Sequence, residues 1–115
     1  MPRWILFAVL AVGAVVFLTF RARAQATRSQ QAHQAVEQGA LLLDVRTPEE
    51  FASGHLQGAV NIPVDELERR AKELPSRQAG IVIYCRSGNR SRRAEHILRD
   101  KGFEKLIDLG PMSAW

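Results

Sequence analysis

The sequence predicts an α/β protein: a central, mainly parallel sheet with helices on both faces, preceded by one apolar helix at the amino terminus. Three observations lead there. Short apolar runs, each too brief for a helix, are separated by segments with helical spacing and by brief loops. These runs lack the polar-apolar alternation of a sheet with one wet face, as strands covered on both sides should. Residues 4–20 are uncharged and almost wholly apolar, with no polar face anywhere.

Taken in order, residues 4–20 rise about 25 Å as a helix, close to the hydrocarbon thickness of a bilayer. A transmembrane anchor and the core of a signal peptide both fit. Ala22-Arg23-Ala24 has small residues where a signal peptidase needs them, but Arg21 and Arg23 put positive charge where cleavage is disfavoured. An uncleaved anchor is therefore expected. Arg21, Arg23 and Arg28 on one side nearly balance Arg3 and the amino terminus on the other, leaving orientation open. Residues 21–31 are small, polar and basic, the composition of a tether. The expected division is residues 1–24 as anchor or signal peptide, 25–31 as tether and 32–115 as the folded domain.

Within that domain, residues 30–38 read as a short helix closed by Gly39, and residues 41–45 as the first strand. Thr47-Pro48-Glu49-Glu50 then carries an N-cap threonine, a proline at the first helical position and a capping-box glutamate. That helix should reach about Ser53 and end at Gly54. Residues 59–62 form a second strand, stopped by Pro63. Leu67, Ala71 and Leu74 give residues 65–74 an apolar face, and Pro75 ends the helix. Residues 81–84 are the strand that delivers Cys85. The loop 86–90 follows, then a helix over 91–101 with Ala94, Ile97 and Leu98 on one face and Gly102 at its C-cap. Residues 106–107 make a last strand leading into Gly110-Pro111.

The formal net charge of +4 points to an anionic partner only until it is divided along the chain. Residues 1–24 hold Arg3, Arg21 and Arg23 and no acid, so the remainder is nearly neutral. No nucleic-acid partner is expected. Local basicity is a different matter, because Arg86, Arg90, Arg92, Arg93 and Arg99 crowd the segment after Cys85. They form either a solvated helix face or an anion-attracting mouth. His33, His55 and His96 stand singly, so no metal or other cofactor is expected.

Cys85 is the single cysteine, so the domain holds together without an internal disulfide. A lone cysteine is commonly a small buried hydrophobe. This one ends an apolar strand and precedes a polar, basic loop containing glycine, then a helix. Backbone N–H groups and the positive end of a helix dipole at such a turn favour thiolate over thiol. Carboxyl ends of parallel strands are also where α/β sheets place their sites. Asp44 and Arg46 lie at another strand end on the same rim.

Two motifs in order, Asp44-Val45-Arg46-Thr47-Pro48-Glu49-Glu50-Phe51 with Gly54-His55-Leu56-Gln57-Gly58-Ala59-Val60-Asn61-Ile62-Pro63, then Tyr84-Cys85-Arg86-Ser87-Gly88-Asn89-Arg90-Ser91, resemble a single-domain rhodanese. The resemblance covers about residues 30–115. It implies a rhodanese-like fold and a sulfurtransferase: Cys85 takes the outer sulfur of an anionic donor such as thiosulfate, holds it as a persulfide and passes it to cyanide or a thiol. Arg86, Ser87, Gly88, Asn89, Arg90 and Ser91 are the expected substrate-binding residues, their amides forming the cradle and Arg86 and Arg90 binding the anion. Asp44 and Arg46 are expected to tie the rim together, and His55 to serve packing and hydrogen bonding.

Two rivals stand beside this reading. Phosphatases of the same fold carry a Cys-x5-Arg loop. Here Ser91 occupies the sixth place after Cys85, Arg90 arrives one place early, and Tyr84 replaces the usual histidine. The other rival is a membrane-tethered module that carries or senses sulfur with little turnover. One departure from the family is Pro111, where a second glycine is usual before the closing tryptophan; proline lacks both the N–H and the positive φ. A bacterial-type inner membrane is the expected location, or the periplasm after signal cleavage.

Overall fold

A computed structural model describes residues 2–115, the side chains of residues 24–26 excepted. Ala24 and Gln25, on either side of the possible cleavage point, thus have side chains outside the described residues.

Helix α1 (Arg3–Glu37) is followed by β1 (Leu41–Asp44), α2 (Pro48–Ala52), β2 (Val60–Asn61), α3 (Val64–Arg70), a 3-10 turn (Ala71–Glu73), β3 (Ile81–Cys85), α4 (Asn89–Asp100), β4 (Leu106–Pro111) and a final 3-10 turn (Met112–Ala114). The four strands form one sheet in the order β2-β1-β3-β4, and every pairing is parallel. Parallel neighbours need crossover connections, and the intervening helices supply them.

Both faces of the sheet are covered, which is why the strands read as unbroken apolar runs. Ile81, Ile83 and Cys85 of β3 face one layer, with Leu67 of α3 and Ala94 and Leu98 of α4. Val82 and Tyr84 face the other, with Leu42, Leu109 and Ala32 of α1. Strand periodicity of two distributes alternate residues of β3 between these layers. All five residues of β3 are buried, so the strand that ends in Cys85 is among the most tightly held parts of the molecule.

The structure differs from the sequence expectation at the end of α3, where the helix expected over residues 65–74 gives way to a 3-10 turn after Arg70, and in three further places. The helix expected over residues 30–38 is not separate, since α1 runs unbroken from Arg3 through residues 21–31 to Glu37. Alanine, arginine and glutamine are good helix formers, and nothing in that stretch breaks a helix. Helix α4 begins at Asn89 rather than Ser91, because Gly88, at φ +104°, turns the chain directly into it. Strand β4 extends to Pro111, with a bulge at Leu109 where the register against β3 shifts between Ile83 and Tyr84. As an edge strand, β4 needs no N–H from Pro111 on its outer side.

The start of α2 follows its sequence signature. Thr47 Oγ1 accepts from the Glu50 N–H at 3.2 Å, and Glu50 Oε1 accepts from the Thr47 N–H at 3.1 Å. This reciprocal box fixes the entry of a very short helix, which would not be stable alone.

Candidate active site

β1, β3 and β4 end on one rim. β3 brings Cys85 there, with its partner Pro111 on β4. Cys85 is fully buried, and the turn Arg86-Ser87-Gly88 leads from it into α4. The Gly88 N–H donates to Cys85 Sγ at 2.9 Å. Gly88 is the N-cap of α4, so the sulfur lies at the positive end of that helix, where a negative charge is favoured. A side chain at this position would have room, with Gly110 Cα 3.8 Å from an added Cβ; the positive φ is what calls for glycine.

Several amides of the turn were expected around the sulfur. Among the described residues, Gly88 supplies the one amide hydrogen bond to the sulfur. Asn89, Arg90 and Ser91 belong to the first turn of α4. Ser91 is buried and its hydroxyl donates to the Gly88 carbonyl at 3.0 Å, holding the turn. Arg86 and Ser87 are exposed at the mouth.

Arg90 is not a free cation. Its Nη1 and Nη2 donate to Glu50 Oε1 and Oε2 at 2.6 and 2.9 Å, a bidentate bridge between α4 and α2. The pair raises the Arg90 pKa, chiefly through the hydrogen bond to Glu50, with smaller contributions from Cys85 and Asp44. In return Arg90, with help from the Thr47 N–H, pulls the Glu50 carboxyl down to about 2. Glu50 is the member of this site that sequence reading missed, having been assigned only to the helix cap. One carboxylate does both tasks.

The sign of the resulting pH dependence follows. A carboxyl lowered from 4.5 to about 2 on folding adds stability above pH 4.5, which disappears as the pH falls towards 2. The difference in denaturant midpoint between the wild type and Glu50→Gln is expected to be constant above pH 5 and to shrink to nothing near pH 2. A pH-independent difference would assign the effect to packing.

Asp44 and Arg46, at the end of β1, pair with each other. Asp44 Oδ1 accepts from the Arg46 N–H at 2.9 Å and from Nε at 3.0 Å, and Oδ2 accepts from Nη2 at 2.7 Å. Arg46 Nη2 also donates to the Gly54 carbonyl at 2.7 Å, tying β1 to the loop after α2. The Asp44 side chain has no exposed surface and that of Arg46 only 7%. Asn61 of β2 adds hydrogen bonds from Nδ2 to the Asp44 and Arg46 carbonyls at 3.0 and 2.9 Å.

The remaining residues near the rim have structural partners. Tyr84, the residue before Cys85, points to the opposite layer, and its hydroxyl accepts from the Leu56 N–H at 3.1 Å. Burial pushes its phenol up to about 12. His55 donates from Nδ1 to the Phe51 carbonyl at 2.8 Å and stacks on the Phe51 ring at 3.7 Å. These contacts agree with the packing role expected for it.

Fold and site together define a parallel α/β protein whose one thiol ends an inner strand and accepts the N–H of the residue that caps the next helix. The family described as rhodanese-like domain matches residues 28–115, and the chain belongs to that family. It is 32% identical over 112 residues to the uncharacterised protein YqhL of Bacillus subtilis (strain 168), covering 96% of this chain and 88% of that protein. It is 38% identical over 69 residues to the thiosulfate sulfurtransferase PspE of Escherichia coli (strain K12), covering 59% of this chain and 66% of that one. Among solved structures it resembles a rhodanese with anions from E. coli, with a TM-score of 0.63 and 32% identity over 67% of this chain and 92% of the other. Such relatives support sulfurtransferase activity in general terms.

Proposed function

We propose that this chain is a membrane-anchored sulfurtransferase that moves sulfane sulfur from a small anionic donor such as thiosulfate to cyanide or a thiol. The observation that carries the reading is Cys85 Sγ at the amino end of α4, held by the Gly88 N–H at 2.9 Å. In the first step the Cys85 thiolate forms a bond to the outer sulfur of thiosulfate as that sulfur's bond to the sulfonate sulfur breaks, and sulfite leaves with the electron pair. In the second step the acceptor attacks the outer sulfur of the persulfide, and the Cys85 thiolate departs. Both steps keep negative charge at the helix terminus, where an amide and the helix dipole stabilise it. Because Cys85 is fully buried, the turn Arg86-Ser87-Gly88 must open to admit the donor.

Arg86, Ser87, Gly88, Asn89, Arg90 and Ser91 are the substrate-binding set under this proposal, with Arg90 supplying charge and Asp44 and Arg46 holding the rim. Removing Arg90 should therefore weaken donor binding. Arg90→Ala is expected to raise the KM for thiosulfate about three- to tenfold, a modest loss because Glu50 already shares the guanidinium. An unchanged KM would leave Arg90 only its bridge to Glu50.

Residues 4–20 are proposed to hold the domain to a bacterial inner membrane. Every large apolar side chain from Leu6 to Phe20 is at least half exposed, an unstable arrangement in water for so long a helix. Residues 1–24 then form the anchor, 25–31 the link and 32–115 the catalytic domain. Fractionation with amino-terminal sequencing tests this. A soluble product beginning at Gln25 would make the segment a signal peptide.

The chemistry is tested by mass spectrometry of the purified protein after incubation with thiosulfate. A gain of one sulfur atom, lost on adding cyanide, is the expected result; no gain would refute the transfer. The complete burial of Cys85 favours, as a second reading, a carrier or sensing module that loads sulfur but turns over little. Steady-state cyanolysis at or below the rate of the uncatalysed reaction, alongside normal loading, would select it.

A further inference from the structure

The direction in which α1 leaves the domain bears on what can reach Cys85. Its carboxyl end lies at the amino edge of the sheet: the Ala40 N–H donates to the Ala35 carbonyl at 2.9 Å, and Leu41, the first residue of β1, donates to Gly80 at 2.9 Å. Followed backwards, α1 runs in the same direction as β1 and β3, along the layer containing Val82 and Tyr84. At Ser29 and His33 it meets the far end of the chain. Ser29 Oγ and His33 Nε2 both donate to the Trp115 carbonyl at 2.9 Å, and the His33 and Trp115 rings lie 3.7 Å apart. Trp115 follows the carboxyl end of β4 through the last 3-10 turn. From Glu37 back to Ser29 the helix rises about 12 Å, enough to traverse a strand as short as β1. The helix therefore departs on the side of the rim that holds Cys85.

We propose that this rim faces the surface of the bilayer in which α1 is anchored, and that the sulfur donor and acceptor are small molecules of the headgroup layer rather than folded carrier proteins. The inference rests on the anchor reading above. Phe20, the last residue of the apolar stretch, is only about 13 Å of helix from Ser29. A folded carrier of 100 residues has a radius of gyration of about 13 Å and needs roughly twice that clearance. Thiosulfate or a small thiol needs far less. Charge agrees with this placement. Arg21, Arg23 and Arg28 are exposed on α1, and Arg86 and Arg92 are exposed beside the thiol, with no acidic partner for any of the five among the described residues. Cations in that zone are attracted to anionic headgroups.

The full-length protein, isotope-labelled and reconstituted in nanodiscs of phosphatidylcholine and phosphatidylglycerol, tests the orientation. A small fraction of lipid carrying a paramagnetic gadolinium chelate on its headgroup should broaden the amide signals of Arg86, Ser87 and Arg92. Those of Gly39, Gln78 and Glu104, at the opposite edge, should keep most of their intensity. The reverse pattern, or uniform broadening, would overturn the proposal. In the same nanodiscs, sulfur transfer to a small thiol should exceed transfer to the same thiol on a folded carrier protein at least tenfold. Inserting ten helical residues after Arg23 should remove that preference by adding about 15 Å of clearance. Equal transfer to both acceptors in the wild type would also overturn it. A chain that stays out of the nanodiscs would remove the anchor and this inference together. Failure of thiosulfate to load Cys85 would refute only the chemistry, since the broadening pattern is read without it.

Discussion

Cys85→Ser is expected to abolish sulfur loading and transfer, by at least about a thousandfold, while the domain remains folded. The side chain sits at the end of a fully buried strand, among Ile83, Val45 and Ala94 in one apolar layer. Serine is slightly smaller, and its oxygen can accept the same Gly88 N–H that now reaches Sγ at 2.9 Å. Stability should fall by no more than about 1–2 kcal/mol, the cost of placing a hydroxyl where one partner is already available. The chemistry has no such substitute, because an oxygen in this place forms no persulfide and is a poor nucleophile at its ordinary pKa. Mass spectrometry after thiosulfate, beside a thermal melt, separates the two effects. Undiminished cyanolysis by a folded serine variant would remove Cys85 from the mechanism.

The second large effect concerns the rim beneath the site. Asp44→Ala is expected to destabilise the domain by about 3–5 kcal/mol, because it leaves the Arg46 guanidinium buried without a counter-charge. The loss is a substantial share of the roughly 5–15 kcal/mol that holds a domain folded. An arginine guanidinium keeps its proton in proteins, so Arg46 does not escape by losing its charge. Arg46 would keep its bond to the Gly54 carbonyl, but that neutral acceptor cannot replace a carboxylate. The double variant Asp44→Leu with Arg46→Met should recover most of the loss, since apolar replacement of a buried pair is often neutral. Denaturant unfolding of both variants provides the measurement. A single variant within about 1 kcal/mol of the wild type would show that water reaches the pair.

Such contrasts explain which parts of the molecule were legible in the sequence. The capping box at Thr47 and Glu50 spans four consecutive residues, and its hydrogen bonds close locally. The strand ending in Cys85 and the glycine turn after it are equally local, so the thiol's place at a helix terminus could be read directly. The boundary of α4 could not, because whether Asn89 and Arg90 belong to loop or helix depends on the φ that Gly88 adopts against β4. The continuation of α1 was open to reading but was obscured by polarity, which marks exposure rather than helix content.

Composition and short-range pattern by themselves determined the α/β class, the apolar amino-terminal segment, the buried strands and the identity of the one thiol at a strand end. Only the tertiary structure decided that Glu50 clamps Arg90, that Tyr84 receives the Leu56 amide, and that Ser29 of α1 meets the Trp115 carbonyl. The reason is physical. Capping, periodicity and turn preference arise from interactions within a few residues, whereas these contacts join groups far apart in the chain. Their meeting depends on the order and register of the parallel strands, which no local preference specifies.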